Sequence, residues 1–389
     1  MLARDGHQVT VLEANPQGPP ASSLEAWESW ERKGVAQFHQ PHTLFARFRQ
    51  ILDEELPGMV EKLVAAGGVW MDPLDPLPPT ISDPAPRPGD DRFRTIAGRR
   101  PMIESVVAAA AENQPGVSVR RGVRVAGLLP GPSAIPGTPG TAGVRTATGE
   151  ELRADLVVDA MGRRTPSADW LAELGARRPY VESADSGFTY YTRYFTGPSR
   201  PQRQGPPVTP VGTFSVLALD GDNDTWSVTL FSSSGDAPLK ALRQPEHFTQ
   251  VVRACPMHAH WLDGRPITGV LPIADVMDCY RRFLVDGVPV VTGFAAVGDA
   301  WACTNPSAGR GLSVGLIHAQ LLRHAVREHL DNPAAFASAW DAATEQTVTP
   351  FYRNQIAADR ARVAEINALR NGLQPPPPDP KLARVLAAA

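Results

Sequence analysis

The sequence is poor in cysteine, in long apolar runs and in net charge. Its three cysteines among 389 residues are too few and too scattered for a disulfide framework or a zinc site. His258 and His260 have no further ligands clustered near them, so the sequence predicts no metal site. A formal charge of −3 gives no basis for binding nucleic acid or an anionic membrane surface. No apolar run reaches the roughly 20 residues of a membrane-spanning helix, and "MLARDGHQ" is charged where a signal peptide is apolar. These absences predict a reduced, cytoplasmic protein without a membrane span.

A glycine-rich phosphate loop ahead of the first strand is also missing. Met1–Gly6 is typical of a helix end closed by Gly6, and Val9–Leu12 is typical of a buried parallel strand. Glu13 follows at the carboxyl end of that strand. Helix end, turn, strand and terminal acid form the second half of a βαβ dinucleotide unit, in which the acid binds a ribose hydroxyl. The sequence therefore predicts half of such a unit.

The rest of the chain divides by composition. Two β-rich stretches flank the segment 131–143, "GPSAIPGTPGTAG", which predicts a small antiparallel meander with an elongated tip. From about Tyr180 to Tyr280, aromatic and β-branched strands separated by turn signals predict an inserted, mostly antiparallel sheet. Beyond Glu328 the pattern is helical, and "QPPPPDP" ends it in a stiff tail.

The segment 298–315, "GDAWACTNPSAGRGLSVG", carries the most chemistry. A buried strand ends at Val297, Asp299 offers a carboxylate, and "TNPSAGRG" forms a compact turn into an amphipathic helix. The amino terminus of that helix presents free N–H groups and partial positive charge, which suits a developing anion. The competing interpretation is an ordinary strand–turn–helix corner.

This segment resembles the superfamily of FAD-dependent monooxygenases and oxidoreductases that has the glutathione-reductase-type FAD fold and contains para-hydroxybenzoate hydroxylase. In that family a Gly-Asp motif, a proline and a glycine-rich helix start hold the ribityl chain and the flavin edge. The residues that match it in order and spacing are Gly298, Asp299, Pro306, Gly309, Gly311 and Leu312. "AWAC" stands where the family often has a histidine after the Asp.

Other segments resemble the same family in the same order. "ADLVVDAMG" resembles its second FAD motif, which implies that Ala160 and Gly162 pass close to the cofactor. The resemblance also implies cofactor contacts for Arg32, for Arg100 at a helix start, and for the backbone amide of Val125 at the adenine. Glu13 would then bind the ribose. Taken singly, the two arginines could equally be solvated charges or helix caps.

The resemblance implies an α/β fold. An FAD-binding Rossmann-like domain, truncated at its amino terminus, would comprise residues 1–178 and 281–330, with the antiparallel substrate sheet at 179–280 and helices at 331–389. Two explanations of the truncation stay open. Either coding sequence upstream of Met1 supplies the strand and glycine-rich loop, or the protein begins here and binds FAD poorly or not at all. We favour the first, because a sheet without its central strand would expose apolar edges and unpaired backbone.

The activity implied by the resemblance is that of an FAD-dependent oxidoreductase, in the first instance a monooxygenase that oxygenates a small organic substrate with O2. NAD(P)H would reduce the flavin from a transient position, in keeping with the lack of a second GxGxxG motif. No catalytic side chain and no oligomeric state can be assigned. "WESW" at 27–30 differs from the Trp-x-Trp-x-Ile-Pro motif of flavin-dependent halogenases, which argues against halogenation. The alternatives are a reductase or saturase resembling geranylgeranyl reductases, and a cofactor-free relative that acts as a binding protein.

Overall fold

A computed structural model describes residues 1–77 and 81–377. Its helices are α1 Ser23–Glu28, α2 Ala46–Glu55, α3 Met59–Ala65, α4 Arg100–Glu112, α5 Ser167–Glu173, α6 Pro245–Arg253, α7 Gly311–His329, α8 Pro333–Thr347 and α9 Thr349–Arg370. Short 3-10 turns occur at Leu2–Asp5, Asp90–Phe93, Pro238–Arg243, Ala259–Leu262, Gly298–Ala300 and Pro306–Ala308. No helix among these residues is both long enough and apolar enough to cross a membrane.

The strands range from two to eleven residues in length. They are β1 Val9–Glu13, β2 Thr43–Leu44, β3 Val69–Met71, β4 Thr95–Ala97, β5 Val117–Arg121, β6 Val125–Ile135, β7 Thr138–Thr146, β8 Glu151–Arg153, β9 Val157–Asp159, β10 Tyr180–Asp185, β11 Phe188–Thr196, β12 Val208–Val211, β13 Phe214–Asp220, β14 Thr225–Ser233, β15 Arg265–Pro266, β16 Leu271–Ile273, β17 Met277–Arg282, β18 Leu284–Val285, β19 Val288–Pro289, β20 Phe294–Ala296 and β21 Ala302–Cys303.

Parallel pairing occurs in two separate two-stranded sheets. Strand β1 pairs with β5, and β9 pairs with β20. Within the described chain no strand joins the two pairs. Val11 on β1 and Val158 on β9 expose 40% and 36% of their surface, far more than parallel strands usually do. The predicted strand at Val9–Leu12 is confirmed, but its predicted burial is wrong, because among the described residues β1 pairs only with β5 and its outer face stays exposed.

A cavity of about 920 Å³ opens between the two parallel pairs. Its wall includes His7 just before β1, Asp155 just before β9 and Thr292 just before β20, together with the end of α7. The cavity therefore lies at the amino ends of the parallel strands. Glu13 and Asp299 lie at the opposite, carboxyl ends, so this cavity is distinct from the predicted cofactor residues.

The inserted antiparallel sheet is present as predicted. Its strand order is β12-β13-β14-β11-β15, and β16 also pairs with β11. One face is covered by α6 and buries Phe195, Trp226 and Phe248. The other face carries Tyr190 and Thr192, because alternate residues of a strand point to opposite faces, and it turns toward the rest of the chain.

The prediction that residues 131–143 form an elongated loop is wrong, because most of this segment is strand. Strands β6 and β7 run through this segment and pair as far as Ile135 and Thr138, with register shifts along the way. Pro130 and Pro132 lie in β6, an edge strand of the β6-β7-β8 sheet, where a residue without an N–H group is tolerated. The antiparallel meander itself is confirmed. Of the predicted proline-rich tail, residues 378–380 lie outside the described residues.

Candidate functional site

Two turns lie side by side at the carboxyl ends of β9 and β20. The Val297 amide donates to the Asp159 carbonyl at 2.9 Å, so the turn that contains Ala160 and Gly162 adjoins the turn at Gly298 and Asp299. Gly162 and Gly298 have φ values of +79° and +56°, and a Cβ at either position would meet no atom within 4 Å. Parallel pairing thus brings together four residues predicted from two distant motifs, and the space beside both glycines is open.

Arg281 on β17 holds the two turns together. Its guanidinium donates to the Ala300 carbonyl at 3.1 Å and to the Arg163 carbonyl at 2.8 Å. Arg281 was not among the predicted site residues, because it lies at the end of the inserted sheet. Only the pairing of β17 with β21 carries it to the site.

Asp299 lies largely buried among positive charges. Burial raises the pKa of Asp299, and the charge of Arg100, a hydrogen bond with the Cys303 thiol and the charge of Arg163 oppose that rise. Arg100 belongs to the first turn of α4, so the charge of one predicted site residue acts on the carboxylate of another. Arg163 was missed, although it directly follows the predicted Gly162. The arrangement joins a carboxylate acceptor to two cations, which suits a ligand with hydroxyl and anionic groups.

Glu104 links the two predicted arginines. Its Oε2 atom lies 3.3 Å from the Nε atom of Arg32, and its Oε1 atom accepts a hydrogen bond from the Nε atom of Arg100 at 2.5 Å. Arg32 also donates to the Oε2 atom of Glu13 at 2.9 Å. The side chains of both arginines are at most 17% exposed, so they are ordered parts of this cluster rather than solvated charges. Glu104 and the cluster as a whole were not predicted.

His42 completes the surroundings of Arg100. Its Nδ1 atom lies 2.8 Å from the Gln40 carbonyl, and its Nε2 atom lies 3.5 Å from Nη1 of Arg100. Burial and the charge of Arg100 lower the pKa of His42 to about 3. The ring is therefore neutral, with its hydrogen on Nδ1 and its lone pair toward Arg100. The histidines of "FHQPH" were the only sequence signal for this contact.

Pro306 and Gly309 lie in the loop before α7, and Gly311 and Leu312 begin the helix. Pro306 and Gly309 are exposed, and Gly309 has a φ of +64°. The helix begins at Gly311 without a side-chain cap, so its first amides are free to bind a ligand. Leu312 instead packs into the core formed by α2, α3 and α4. Phe45, which was not predicted, exposes 40% of its surface next to Gly309.

The same loop is anchored through Asn305, which is 2% exposed. Its amide donates to Asp278 at 2.7 Å, and its side-chain nitrogen donates to Asp359 on α9 at 3.0 Å. Tyr190 on β11 donates its hydroxyl to the side-chain oxygen of Asn305. Three elements distant in sequence thus fix the residue before Pro306.

Two buried carboxyl groups surround that anchor. Burial raises the pKa of Asp359, and burial together with the charge of Asp359 raises the pKa of Asp278 to about 6. Asp359 also accepts hydrogen bonds from Gln355 at 2.9 Å and Ser307 at 3.3 Å. Helix α9, predicted only as a carboxyl-terminal helix, therefore contributes directly to the shape of the loop.

Glu13 and Val125 lie at the far end of the site. Val123 donates its amide to the Glu13 carbonyl at 3.1 Å, and β6 begins two residues later at Val125. Glu13 Oε1 accepts the Asn15 amide at 2.8 Å, so both carboxylate oxygens already have a partner and each keeps a free lone pair. The predicted ribose and adenine contacts are thus next to each other.

Comparison with protein-family models finds no match. Protein Rv3254 of Mycobacterium tuberculosis is 26% identical over 318 residues, which cover 76% of this chain and 65% of that protein. The chain thus spans about 65% of the length of the curated relative.

Solved structures match over nearly the whole chain. PqsL, a probable FAD-dependent monooxygenase from Pseudomonas aeruginosa, is 14% identical with a TM-score of 0.64, over 95% of this chain and 91% of PqsL. HpxO of Klebsiella pneumoniae, solved with FAD and uric acid, is 12% identical with a TM-score of 0.60, over 94% and 91%. The myxobacterial FAD-dependent halogenase CndH is 18% identical with a TM-score of 0.60, over 90% and 82%. This chain has the α/β fold that these three proteins share.

Proposed function

We propose that the protein is an FAD-dependent oxidoreductase, and that its reaction is the monooxygenation of a small organic substrate. The observation that carries the proposal is the meeting of the Gly298–Asp299 turn and the Gly162 turn at one edge, the carboxyl ends of β9 and β20, with α7 packed against the Gly298 turn. Such an edge is where open α/β folds bind their ligands. The shared fold with PqsL and HpxO supports the cofactor assignment.

The residues present fit the adenosine and ribityl parts of FAD. Glu13 and Arg32 would hold the adenosine ribose, and the strand start at Val125 would meet the adenine. Asp299 would accept hydrogen bonds from the ribityl hydroxyls, since its surroundings are open on the side of Gly298. When bound, FAD supplies electron transfer and reaction with O2, with NAD(P)H as the transient reductant.

The chain's own residues would orient the cofactor and stabilise charge that develops on it. The partial positive charge at the start of α7 would stabilise negative charge that develops at the flavin edge. Arg100, held by Glu104 and His42, and Arg163 would keep positive charge next to Asp299. The face of β11 that carries Thr192, which donates to Gln40 at 2.8 Å, would cover the substrate side.

One structural observation favours a second candidate, a cofactor-deficient binding protein. The two parallel pairs are unjoined among the described residues, and a cavity of about 920 Å³ separates their amino ends. A dinucleotide site built without the usual glycine-rich turn would lack amide donors to the pyrophosphate.

Titration of purified protein with FAD, followed by flavin fluorescence, separates the two candidates. If the protein is an oxidoreductase, we expect saturable binding of FAD and substrate-dependent oxidation of NADH or NADPH. Incorporation of label from 18O2 into the product then identifies a monooxygenase. Hydride delivery to an alkene without label identifies a reductase of the geranylgeranyl reductase type. If a folded sample binds no flavin, the oxidoreductase is excluded and the binding-protein candidate stands.

A further inference from the structure

His318 on α7 contacts the turn that precedes Asp299. It is 1% exposed, and its Nδ1 atom accepts a hydrogen bond from the Gly298 amide at 3.1 Å. Burial lowers the pKa of His318 to about 3. The ring is therefore neutral at physiological pH, and Nδ1 keeps the lone pair that this contact needs.

The imidazole makes no second hydrogen bond within the described chain. Its Nε2 atom is buried without a partner. The ring stacks on Trp340, with centroids 4.6 Å apart and planes 9° apart, and meets Trp301 edge-on at 5.1 Å. Because Nδ1 is the acceptor, Nε2 carries the hydrogen, and that N–H group lies unpaired among aromatic rings.

An apolar side chain at position 318 would remove this unpaired N–H but would leave the Gly298 amide without an acceptor. The histidine thus exchanges one unpaired donor for another, and an unsatisfied donor costs folding a similar amount in either place. The histidine and an apolar side chain differ instead in how well they hold the geometry of the turn at Gly298. Gly298 has a φ of +56°, and its carbonyl accepts the Trp301 amide at 2.9 Å. With its amide bound to His318, Gly298 is held through both of its backbone polar groups.

We propose that His318 is a positioning residue: by accepting the Gly298 amide it fixes the turn that aims Asp299 at the cofactor. The inference rests on the proposed function for its consequence, since the direction of Asp299 matters only if Asp299 binds FAD. The contact itself joins α7 to the end of β20, so the helix whose amino terminus faces the site also sets the orientation of the neighbouring carboxylate.

Two substitutions separate the acceptor from the ring. His318→Asn keeps an acceptor oxygen at the place of Nδ1 and loses the aromatic stacking. His318→Phe keeps the ring between Trp301 and Trp340 and loses the acceptor. Each variant is compared with the parent by hydrogen exchange of the Gly298 amide without FAD, by affinity for FAD, and by thermal unfolding to establish that it is folded.

We expect His318→Phe to speed exchange at Gly298 and to raise the Kd for FAD, each by about tenfold, and His318→Asn to stay near the parent in both. The reverse order, with the Asn variant impaired and the Phe variant unchanged, would show that the histidine only fills space. Faster exchange with an unchanged Kd would overturn the link to the cofactor. If the parent binds no FAD, the proposed function fails, while exchange at Gly298 still decides whether His318 holds the turn.

Discussion

Arg99 and Asp222 form a buried ion pair that fastens the inserted sheet to the start of α4. The guanidinium donates to both carboxylate oxygens, at 3.0 and 2.8 Å, and the Arg99 amide adds a third hydrogen bond at 2.7 Å. Arg99 is 4% exposed and Asp222 is fully buried. The indole of Trp27 lies 4.4 Å from the guanidinium carbon. If either Arg99 or Asp222 is lost, the other residue therefore has few groups nearby with which its buried charge can pair.

Asp222→Ala should lower the free energy of unfolding by about 3–5 kcal/mol, because it leaves the Arg99 charge buried and unpaired. Urea denaturation measures the change. The exposed pair of Asp169 and Arg178, 3.4 Å apart, is the matched control, and Asp169→Ala should cost less than about 1 kcal/mol. Equal effects of the two substitutions would contradict the structural role given to Asp222.

Asp299→Ala should weaken FAD binding and leave the fold intact. A carboxylate that accepts ribityl hydrogen bonds contributes about 1.5–3 kcal/mol, so the Kd should rise by roughly ten- to a hundredfold. Fluorescence titration of matched preparations measures it, with Asp169→Ala as the control. An FAD content equal to that of the parent would show that Asp299 is not the flavin-binding acid.

Asp278 should make stability depend on pH between about 4 and 6. Its pKa is about 6 in the folded chain and is ordinarily 3.8, so in this range the folded state binds the proton more tightly than the unfolded state. Its contribution to stability is therefore present below about pH 4 and lost as the pH rises through 6.

Asp278→Asn keeps the acceptor for the Asn305 amide and removes the titration. The fall in unfolding free energy between pH 5 and pH 7.5 should be smaller in this variant than in the parent. Asp169→Asn should leave that fall unchanged, and an identical fall in all three proteins would show that Asp278 does not titrate in this range.

Adding a strand and a glycine-rich turn ahead of Met1 should strengthen FAD binding. Such a segment needs roughly 20–30 residues, and its amides would supply donors to the pyrophosphate that Glu13 cannot replace. We expect the chain extended by such a designed segment to bind FAD more tightly than the 389-residue chain and to purify yellow. The same extension with bulky residues in place of its glycines is the control. Equal affinity of the extended chain and the 389-residue chain for FAD would refute the expectation.

The sequence predicted best what depends on local pattern. Strand β1 ending at Glu13, the antiparallel sheet and α7 all follow from periodicity and turn signals over short windows. The segment 131–143 was misjudged because a proline is excluded from a strand only where its N–H would be needed, and that depends on which strand lies at an edge. Arg281, His42 and Asp359 could not be predicted, because each reaches the site through strand register or helix packing between distant parts of the chain.

The pairing of β9 with β20 has a consequence for the order in which the molecule folds. The whole inserted sheet lies between these two strands in the chain, so their pairing closes a very long loop. Hairpins such as β6 with β7 and β13 with β14 close short loops and gain contacts early. We expect the antiparallel sheets to form first and the two turns at Gly162 and Gly298 to meet late. The site would then be among the last parts of the protein to acquire native structure.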